Sequence, residues 1–323
     1  MHRFERRLVW AVGTVLALCG FGAVNAAWPG HVGAHARAVV AHVLEPGPAP
    51  AALAVGPDGT STGRTSPPPA GADVDVVSST VDNGGRTIPV TVHVPSGSGR
   101  YPLVVVAHGF AASADTYADL EEQLAQAGFV VAAPDFPHSS SASTDWLDRS
   151  DVVNQAGDVS AVITTFLDPA TAPPELRGRI LGGPVGVVGH SDGGITAAAV
   201  AYNSTVADPR VGAAVILSGA AVMYPGEWFT GDSPPLLAIH GDADQVNPWW
   251  SSEQLVTLAN GPRYLVTVLG GDHTSPYTTG AVEPAVGALA GDFLRAYLVA
   301  DPAALGRLPA DASADGLTLS FSS

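Results

Sequence analysis

Apolar runs of strand length alternate with amphipathic segments of helix length through the middle of the chain. Residues 103–107 predict a buried strand, residues 114–128 an amphipathic helix that ends at a glycine, and residues 129–133 the next strand. Residues 152–167 predict a second helix, which precedes another apolar run at 184–188. Continuous apolar strands separated by helices are typical of a mostly parallel sheet. The pattern therefore predicts an α/β fold with helices on both faces of the sheet.

The same alternation continues to about residue 298. Further strands are predicted at 211–217, 236–239 and 264–269, and further helices at 194–202, 251–259 and 282–298. Before the first buried strand, residues 74–81 and 87–94 alternate apolar and polar side chains around an Asn-Gly-Gly turn at 83–85. This pattern predicts an antiparallel hairpin at an edge of the sheet.

Both ends of the chain differ from this middle part. Residues 1–7 are rich in arginine and residues 8–27 are uncharged, which predicts either a signal peptide or an N-terminal membrane anchor within residues 1–28. Residues 29–72, rich in Ala, Pro and Gly, predict a largely disordered linker. We expect one folded domain at 73–300 and a C-terminal tail at 301–323. The domain would be secreted or extracytoplasmic, and an uncleaved leader would tether it to the membrane.

Charge and cysteine content exclude several classes of function. The 323 residues carry a formal net charge of −16, and all 14 basic side chains are arginines. A chain without a basic stretch is not expected to bind nucleic acid, and the lack of lysine excludes a lysine Schiff base. The single cysteine, Cys19, lies in the leader, so the domain itself has no internal disulfide. The dispersed histidines predict no metal site, and we expect no cofactor.

The sequence Gly189-His190-Ser191-Asp192-Gly193 lies between the apolar run at 184–188 and the Ala-rich helix at 194–202. The spacing G-x-S-x-G is typical of a nucleophile elbow, in which a tight turn from strand to helix exposes the serine hydroxyl. Glycines at both flanks allow the neighbouring backbone to approach closely. We therefore predict Ser191 as a catalytic nucleophile.

A serine nucleophile needs an imidazole base and a carboxylate that orients it. In this kind of fold both follow the serine along the chain, on loops after later strands. Asp242 and Asp244 follow the strand at 236–239, and His273 follows the strand at 264–269. We predict His273 as the base and prefer Asp244 as the acid, because Asp242 is better placed to shape the turn.

An acyl-transfer site also needs donors for the developing oxyanion. We predict the backbone N–H groups of Asp192 and Phe110, the latter on the loop after the strand at 103–107. His108 and His190 are expected to orient these loops and to take no part in proton transfer.

Five short motifs resemble the α/β-hydrolase superfamily. They are His108-Gly109-Phe110, Gly128-Phe129-Val130-Val131, residues 189–194, His240-Gly241-x-x-Asp244 and Gly271-Asp272-His273. Between about residues 90 and 298 the chain is most similar to the group of chlorophyllases, platelet-activating-factor acetylhydrolases and bacterial cutinase-like polyester hydrolases. The resemblance implies a carboxylic-ester hydrolase that works through an acyl-enzyme without a cofactor.

The chain departs from these relatives in two respects. A carboxylate, Asp192, follows the nucleophile where many relatives have a neutral residue; it either disfavours anionic substrates or points into solvent. The disulfide common in the polyester hydrolases cannot form, so the resemblance does not imply that plastic or cutin is the substrate.

Aromatic residues near the predicted site are candidates for substrate contacts. The connection between residues 218 and 236 is too short for a large cap domain, which predicts an open cleft. Trp228, Trp249, Trp250 and Tyr277 are the candidate lining residues of an apolar groove. The expected substrate is a small-molecule or lipid-like neutral ester, and we expect the protein to act as a monomer.

Two alternatives to an esterase stay open. A peptidase or amidase uses the same Ser-His-Asp triad, and sequence does not separate these activities from ester hydrolysis. A non-catalytic surface protein on a hydrolase scaffold is the other, although it has no physical reason to keep a working triad.

Overall fold

The computed structural model describes residues 73–313 and 317–322. The predicted leader and linker, residues 1–72, lie outside the described residues. Within these residues nine strands form a single sheet. They are β1 (Val74–Asn83), β2 (Arg86–Pro95), β3 (Leu103–Ala107), β4 (Val130–Pro134), β5 (Val185–His190), β6 (Val211–Leu217), β7 (Leu236–Gly241), β8 (Arg263–Val268) and β9 (Leu317–Ser322).

The strands lie in the order β1-β2-β4-β3-β5-β6-β7-β8-β9. The six strands from β4 to β8 in this order pair in parallel, whereas β1, β2 and β9 pair antiparallel at the two edges. The predicted hairpin is therefore present as β1 and β2. The prediction of a mostly parallel α/β sheet is confirmed.

Helices cover both faces of the sheet. They are α1 (Ala118–Gln126), α2 (Val152–Leu167), α3 (Asp192–Tyr202), α4 (Trp250–Leu258), α5 (Ser275–Thr278), α6 (Glu283–Leu298) and α7 (Pro302–Asp311), with short 3-10 helices at Ala114–Tyr117, Arg149–Asp151 and Pro174–Leu176. The predicted helix at 114–128 divides into a 3-10 turn and α1, and it ends before Gly128, whose φ is 100°. The described connection from β6 to β7 contains no helix, in line with the predicted lack of a large cap domain.

The core consists of two apolar layers, one on each face of the sheet. Val105 of β3 packs on the face that α2, α3 and α4 cover. Val104 and Val106 of the same strand pack on the face that α1, α6 and α7 cover. Because β3 is buried on both faces, its five residues are continuously apolar, and this is why its bounds could be predicted.

The parallel strands end together at one edge of the sheet. In the register of the sheet Ala107 pairs with Gly189, and Gly241 pairs with Val268. The loops that follow β3, β5, β7 and β8 therefore leave the sheet at the same edge. These four loops carry the predicted site residues.

The C-terminal segment differs from the predicted tail. Asp301 caps α7, because its carboxylate accepts hydrogen bonds from the N–H groups of Ala303 and Ala304. Leu308 of α7 is buried, and β9 adds to the sheet beside β8. An edge strand exposes unpaired backbone groups, and β9 covers those of β8. The expected boundary at residue 300 is therefore wrong, since the folded domain continues to residue 322.

Candidate active site

Ser191 lies at the turn between β5 and α3, where the backbone is strained. Its φ and ψ are 56° and −120°, and its N–H donates a 3.0 Å hydrogen bond to the carbonyl of Leu217. A Cβ on Gly189 would lie 2.0 Å from the carbonyl oxygen of Gly193, and a Cβ on Gly193 would lie 2.0 Å from that of Ala107. Only glycine allows this approach, so the flanking residues and the strain together hold the serine at the turn.

His273 bridges Ser191 and Asp244. Its Nε2 lies 2.8 Å from the Ser191 Oγ, and its Nδ1 lies 2.7 Å from the Asp244 Oδ2. The side chain of Asp244 is fully buried, while that of His273 retains 15% exposure. With the proton on Nδ1, the imidazole donates to the carboxylate and accepts from the serine hydroxyl. The structure thus brings together the three residues predicted for catalysis, and their catalytic role stays a prediction.

The environment of Asp244 keeps its carboxylate ionised. Its Oδ1 accepts hydrogen bonds from the N–H groups of Val246 at 2.7 Å and Asn247 at 2.9 Å. Burial alone would raise its pKa, but the hydrogen bonds from the imidazoles of His240 and His273 and from these amides lower the pKa well below the ordinary value. A permanent negative charge therefore faces the Nδ1 of His273.

Asp242, the other candidate acid, lies elsewhere. It is exposed, and its Oδ1 accepts a 2.6 Å hydrogen bond from the N–H of Gly270. Among the described residues Asp244 is the carboxylate that contacts His273. The geometry thus agrees with the preference for Asp244 as the acid and for Asp242 as a residue that shapes the turn.

A second imidazole, that of His240, contacts the same carboxylate, and the sequence analysis assigned it no role. His240 is completely buried at the end of β7, and its Nε2 lies 3.2 Å from the Asp244 Oδ2 and 3.0 Å from the carbonyl of Asn247. The Nδ1 lies 2.7 Å from the Ser252 hydroxyl. The Nε2 therefore carries the proton and donates, while the Nδ1 accepts from Ser252. The buried Asp244 oxygen thus receives hydrogen bonds from two imidazoles.

The two histidines expected to be structural are buried and have fixed partners. His190 accepts a 2.7 Å hydrogen bond from the Tyr117 hydroxyl and donates a 2.6 Å bond to the carbonyl of His273. Burial and the neighbouring His273 imidazole lower the pKa of His190 to about 3. The Nε2 of His108 accepts from the N–H of Phe136. Neither ring is placed to exchange a proton with substrate.

Of the two predicted oxyanion donors, Asp192 follows Ser191 directly and Phe110 follows Gly109 on the loop after β3. The loop after β3 passes against the serine, since a Cβ on Gly109 would lie 3.2 Å from the Ser191 Cβ. Asp192 is the first residue of α3, so its N–H has no partner within the helix. Within residues 73–313 and 317–322, neither this N–H nor that of Phe110 donates a hydrogen bond to another residue. Both N–H groups thus have no partner among the described residues, and their role as oxyanion donors stays a prediction.

The Asp192 side chain is buried, and its charge is paired with that of Arg149. It is 2% exposed, and the Arg149 guanidinium donates two hydrogen bonds to its carboxylate, from Nε to Oδ2 at 2.8 Å and from Nη2 to Oδ1 at 2.7 Å. The expectation that this side chain points into solvent is therefore wrong, and an effect of Asp192 on anionic substrates stays a prediction. Arg149 precedes α2 by three residues, and no local signal linked it to the elbow.

The four candidate substrate-binding aromatics fall into three different environments. Tyr277 is fully buried, and its hydroxyl lies 2.9 Å from the Ser218 hydroxyl. The prediction that Tyr277 lines an open groove is therefore wrong. Trp228 and Trp249 are partly buried against the core. Trp250 is 59% exposed at the start of α4. Contact of these three tryptophans with substrate stays a prediction.

Two further features concern the described part of the chain only. No cluster of three or more His, Cys, Asp or Glu residues within it could hold a metal ion. None of its helices is both long and apolar enough to cross a membrane. The anchor or signal peptide predicted in residues 1–28 lies outside these residues.

Comparison with known proteins gives a family match and two relatives. The chlorophyllase family model matches residues 69–222. Two proteins named uncharacterized protein YfhR, from Escherichia coli O157:H7 and from strain K12, are each 37% identical over 112 residues. The match covers 32% of this chain and 39% of each relative, so the chain spans less than half of their length. The matched family region includes Ser191 and the two predicted oxyanion donors, Phe110 and Asp192, but ends before Asp244 and His273.

Proposed function

We propose that this chain, which has the α/β-hydrolase fold and resembles the chlorophyllase family, is an exported serine hydrolase that cleaves carboxylic esters through a Ser-His-Asp triad. One observation carries the proposal: the His273 imidazole lies within hydrogen-bond distance of both the Ser191 hydroxyl, at 2.8 Å, and the buried Asp244 carboxylate, at 2.7 Å. This is the geometry in which a serine can lose its proton as it attacks a carbonyl.

The proposed reaction has two halves. In the first, His273 Nε2 takes the proton of Ser191 while the serine Oγ bonds to the ester carbonyl carbon. His273 then gives that proton to the leaving alcohol as the carbon–oxygen bond breaks, which leaves an acyl group on Ser191. In the second half, His273 takes a proton from water, the hydroxide attacks the acyl carbon, and the carboxylic acid leaves as the proton returns to Ser191.

Each remaining group has a part in these steps. Asp244 keeps the proton of His273 on Nδ1, so that Nε2 is free to accept, and it stabilises the imidazolium that forms. The N–H groups of Phe110 and Asp192 donate to the oxygen that becomes negative in both tetrahedral intermediates. Loss of one such donor typically costs about 10² to 10³ in kcat.

The proposed substrate is a neutral ester of a small molecule or a lipid-like compound. The described β6–β7 connection contains no helix that would close over the site, and Trp250 exposes most of its ring at the start of α4. An open site, with an exposed aromatic residue six positions after Asp244 in the chain, suits an apolar acyl group. Export is proposed from the arginine-rich residues 1–7 and the uncharged residues 8–27 alone.

The test uses the full chain with a fluorophosphonate probe and a p-nitrophenyl ester series of increasing acyl length. We expect labelling at Ser191 and ester turnover, and a loss of about 10⁴-fold or more in kcat for Ser191→Ala and for His273→Ala. Ser78→Ala, on the exposed face of β1, is the matched control and keeps full activity.

Two outcomes would contradict the proposal. Turnover of aminopeptidase substrates in preference to the ester series would favour the peptidase or amidase alternative. A folded protein with no labelling and no turnover would favour a non-catalytic scaffold.

A further inference from the structure

The carboxylate of Asp192, in the first turn of α3, forms an ion pair with Arg149. Its side chain is 2% exposed, and both of its oxygens bond to the guanidinium of Arg149. Among residues 73–313 and 317–322, no other side chain forms an ion pair or hydrogen bond with this carboxylate. A buried carboxylate without a partner is costly, and Arg149 is the side chain that compensates this one.

The position of this carboxylate matters for catalysis because the backbone N–H of the same residue is a proposed oxyanion donor. Asp192 supplies one of the two proposed oxyanion donors through its N–H, so the same residue carries a negative side chain and a donor to the developing oxyanion. A nearby carboxylate without a counter-charge opposes the growth of negative charge on the oxyanion, and such a like-charge repulsion changes a rate by on the order of 10²-fold. With Arg149 bound, the pair is neutral and this repulsion is largely cancelled.

We propose that Arg149 is a positioning residue of the active site, which neutralises the Asp192 carboxylate and so keeps the oxyanion hole able to accept negative charge. This inference rests on the proposed function. Arg149 acts through Asp192 and needs no contact with the reacting atoms.

The local structure holds Arg149 in place for this task. It begins the 3-10 helix Arg149–Asp151, which the Asp148 side chain caps by accepting hydrogen bonds from the N–H and hydroxyl of Ser150. The Asp148 N–H in turn donates to the carbonyl of His138 at 2.7 Å. The guanidinium thus reaches Asp192 from a separate loop, and hydrogen bonds of Asp148 fix the backbone of that loop.

The experiment compares Arg149→Ala with a matched variant, Arg307→Ala. Arg307 forms the same two-point fork with Asp292, Nε to Oδ2 at 2.6 Å and Nη2 to Oδ1 at 2.5 Å, and its exposure of 48% is close to the 56% of Arg149. It lies on α7 and pairs with α6, away from the site residues. We expect kcat for a neutral p-nitrophenyl ester to fall on the order of 10²-fold in Arg149→Ala with KM little changed. Arg307→Ala should retain wild-type kcat.

A double variant separates charge from loss of structure. Arg149→Ala/Asp192→Asn removes the arginine together with the charge that it compensates, and we expect it to recover at least about tenfold of the kcat lost in Arg149→Ala. All rates are expressed per active site, and the active sites are counted by fluorophosphonate titration. A misfolded fraction of the protein therefore does not lower the measured kcat.

Three results would overturn the inference: unchanged kcat in Arg149→Ala, an equal loss in the single and double variants, or an equal loss in Arg307→Ala. Ester turnover and Ser191 labelling in the wild-type chain test the proposed function separately, so the inference can fail while the proposed function stands.

Discussion

Two halves of the site are held in place in different ways. Backbone geometry positions the nucleophile half, which consists of Ser191 and the N–H groups of Phe110 and Asp192. Side-chain hydrogen bonds position the acid–histidine half, which consists of Asp244, His240 and His273. Ser191 has a positive φ of 56°. Asp244 instead receives four hydrogen bonds, two from imidazoles and two from amides of its own loop.

This difference indicates that the two halves tolerate substitution differently. Where backbone geometry holds a group, an added methyl group must displace main-chain atoms, so the change affects folding as well as catalysis. Where hydrogen bonds hold a group, an isosteric change can alter charge or tautomer and leave the fold intact. We therefore expect substitutions at the glycines that flank Ser191 to reduce stability, and isosteric substitutions in the acid–histidine half to reduce rate.

The largest expected effect is on rate, in the acid–histidine half. Asp244→Asn presents an amide to the His273 Nδ1 and favours the tautomer that cannot accept the Ser191 proton, so kcat should fall by about 10⁴-fold. Asp242→Asn is the matched control, because its Oδ1 keeps the hydrogen bond from Gly270 and activity should change by less than about threefold. Steady-state kinetics on one ester measures both. Near-normal turnover by Asp244→Asn would remove Asp244 from the proposed triad.

The next effect is on stability, in the nucleophile half. Gly193→Ala places a Cβ 2.0 Å from the carbonyl oxygen of Ala107, so the elbow must move, and we expect a loss of about 3–5 kcal/mol in the free energy of unfolding. Gly182→Ala, where no atom lies within 4 Å of the added Cβ, should change stability by less than about 0.5 kcal/mol. Urea unfolding followed by fluorescence measures both variants. Equal stability of the two would contradict the view that backbone contact holds the nucleophile.

A smaller effect on rate is expected at His240. His240→Asn shortens the side chain that donates to the Asp244 Oδ2, and a lost hydrogen bond to a charged group corresponds to a fall of roughly 10- to 100-fold in kcat. Ser252→Ala removes only the hydroxyl that fixes the His240 tautomer and should cost less than His240→Asn. The measurement compares kcat per titrated active site for the wild-type chain, His240→Asn and Ser252→Ala. If Ser252→Ala costs more than His240→Asn, the tautomer argument is wrong.

The most gradual effect, small at each step of pH, is the pH dependence of stability at His190. Burial holds its pKa at about 3 in the folded state, whereas the unfolded value is about 6.5, so the unfolded chain binds more protons as the pH falls between these values. The wild-type chain should therefore lose up to about 1.4 kcal/mol per pH unit, relative to His190→Gln, below pH ~6.5. Urea unfolding of both proteins at pH 7, 6, 5 and 4 gives this difference. A difference that stays constant over this range would contradict the role of burial.

Regular elements with a strong apolar pattern could be predicted closely from the chain. The helix at 152–167 and the strands at 103–107 and 211–217 have the predicted bounds, because the helix repeats its apolar positions with a helical period and the two strands are continuous apolar runs. The C-terminal strand β9 was missed, although residues 317–321 alternate apolar and polar side chains. Its pairing depends on the free edge of β8, which no local pattern reveals.

The sequence by itself determined the order of the elements and the candidate chemistry, because strand periodicity and the G-x-S-x-G turn are local properties of the chain. Only the tertiary structure decided which distant side chains meet. His240 reaches Asp244, and Arg149 reaches Asp192, because separate loops converge at one edge of the parallel sheet. It also decided that Tyr277 is covered while Trp250 is exposed. Burial and charge pairing depend on the packing of segments far apart in the chain, so a pattern read along one segment does not contain them.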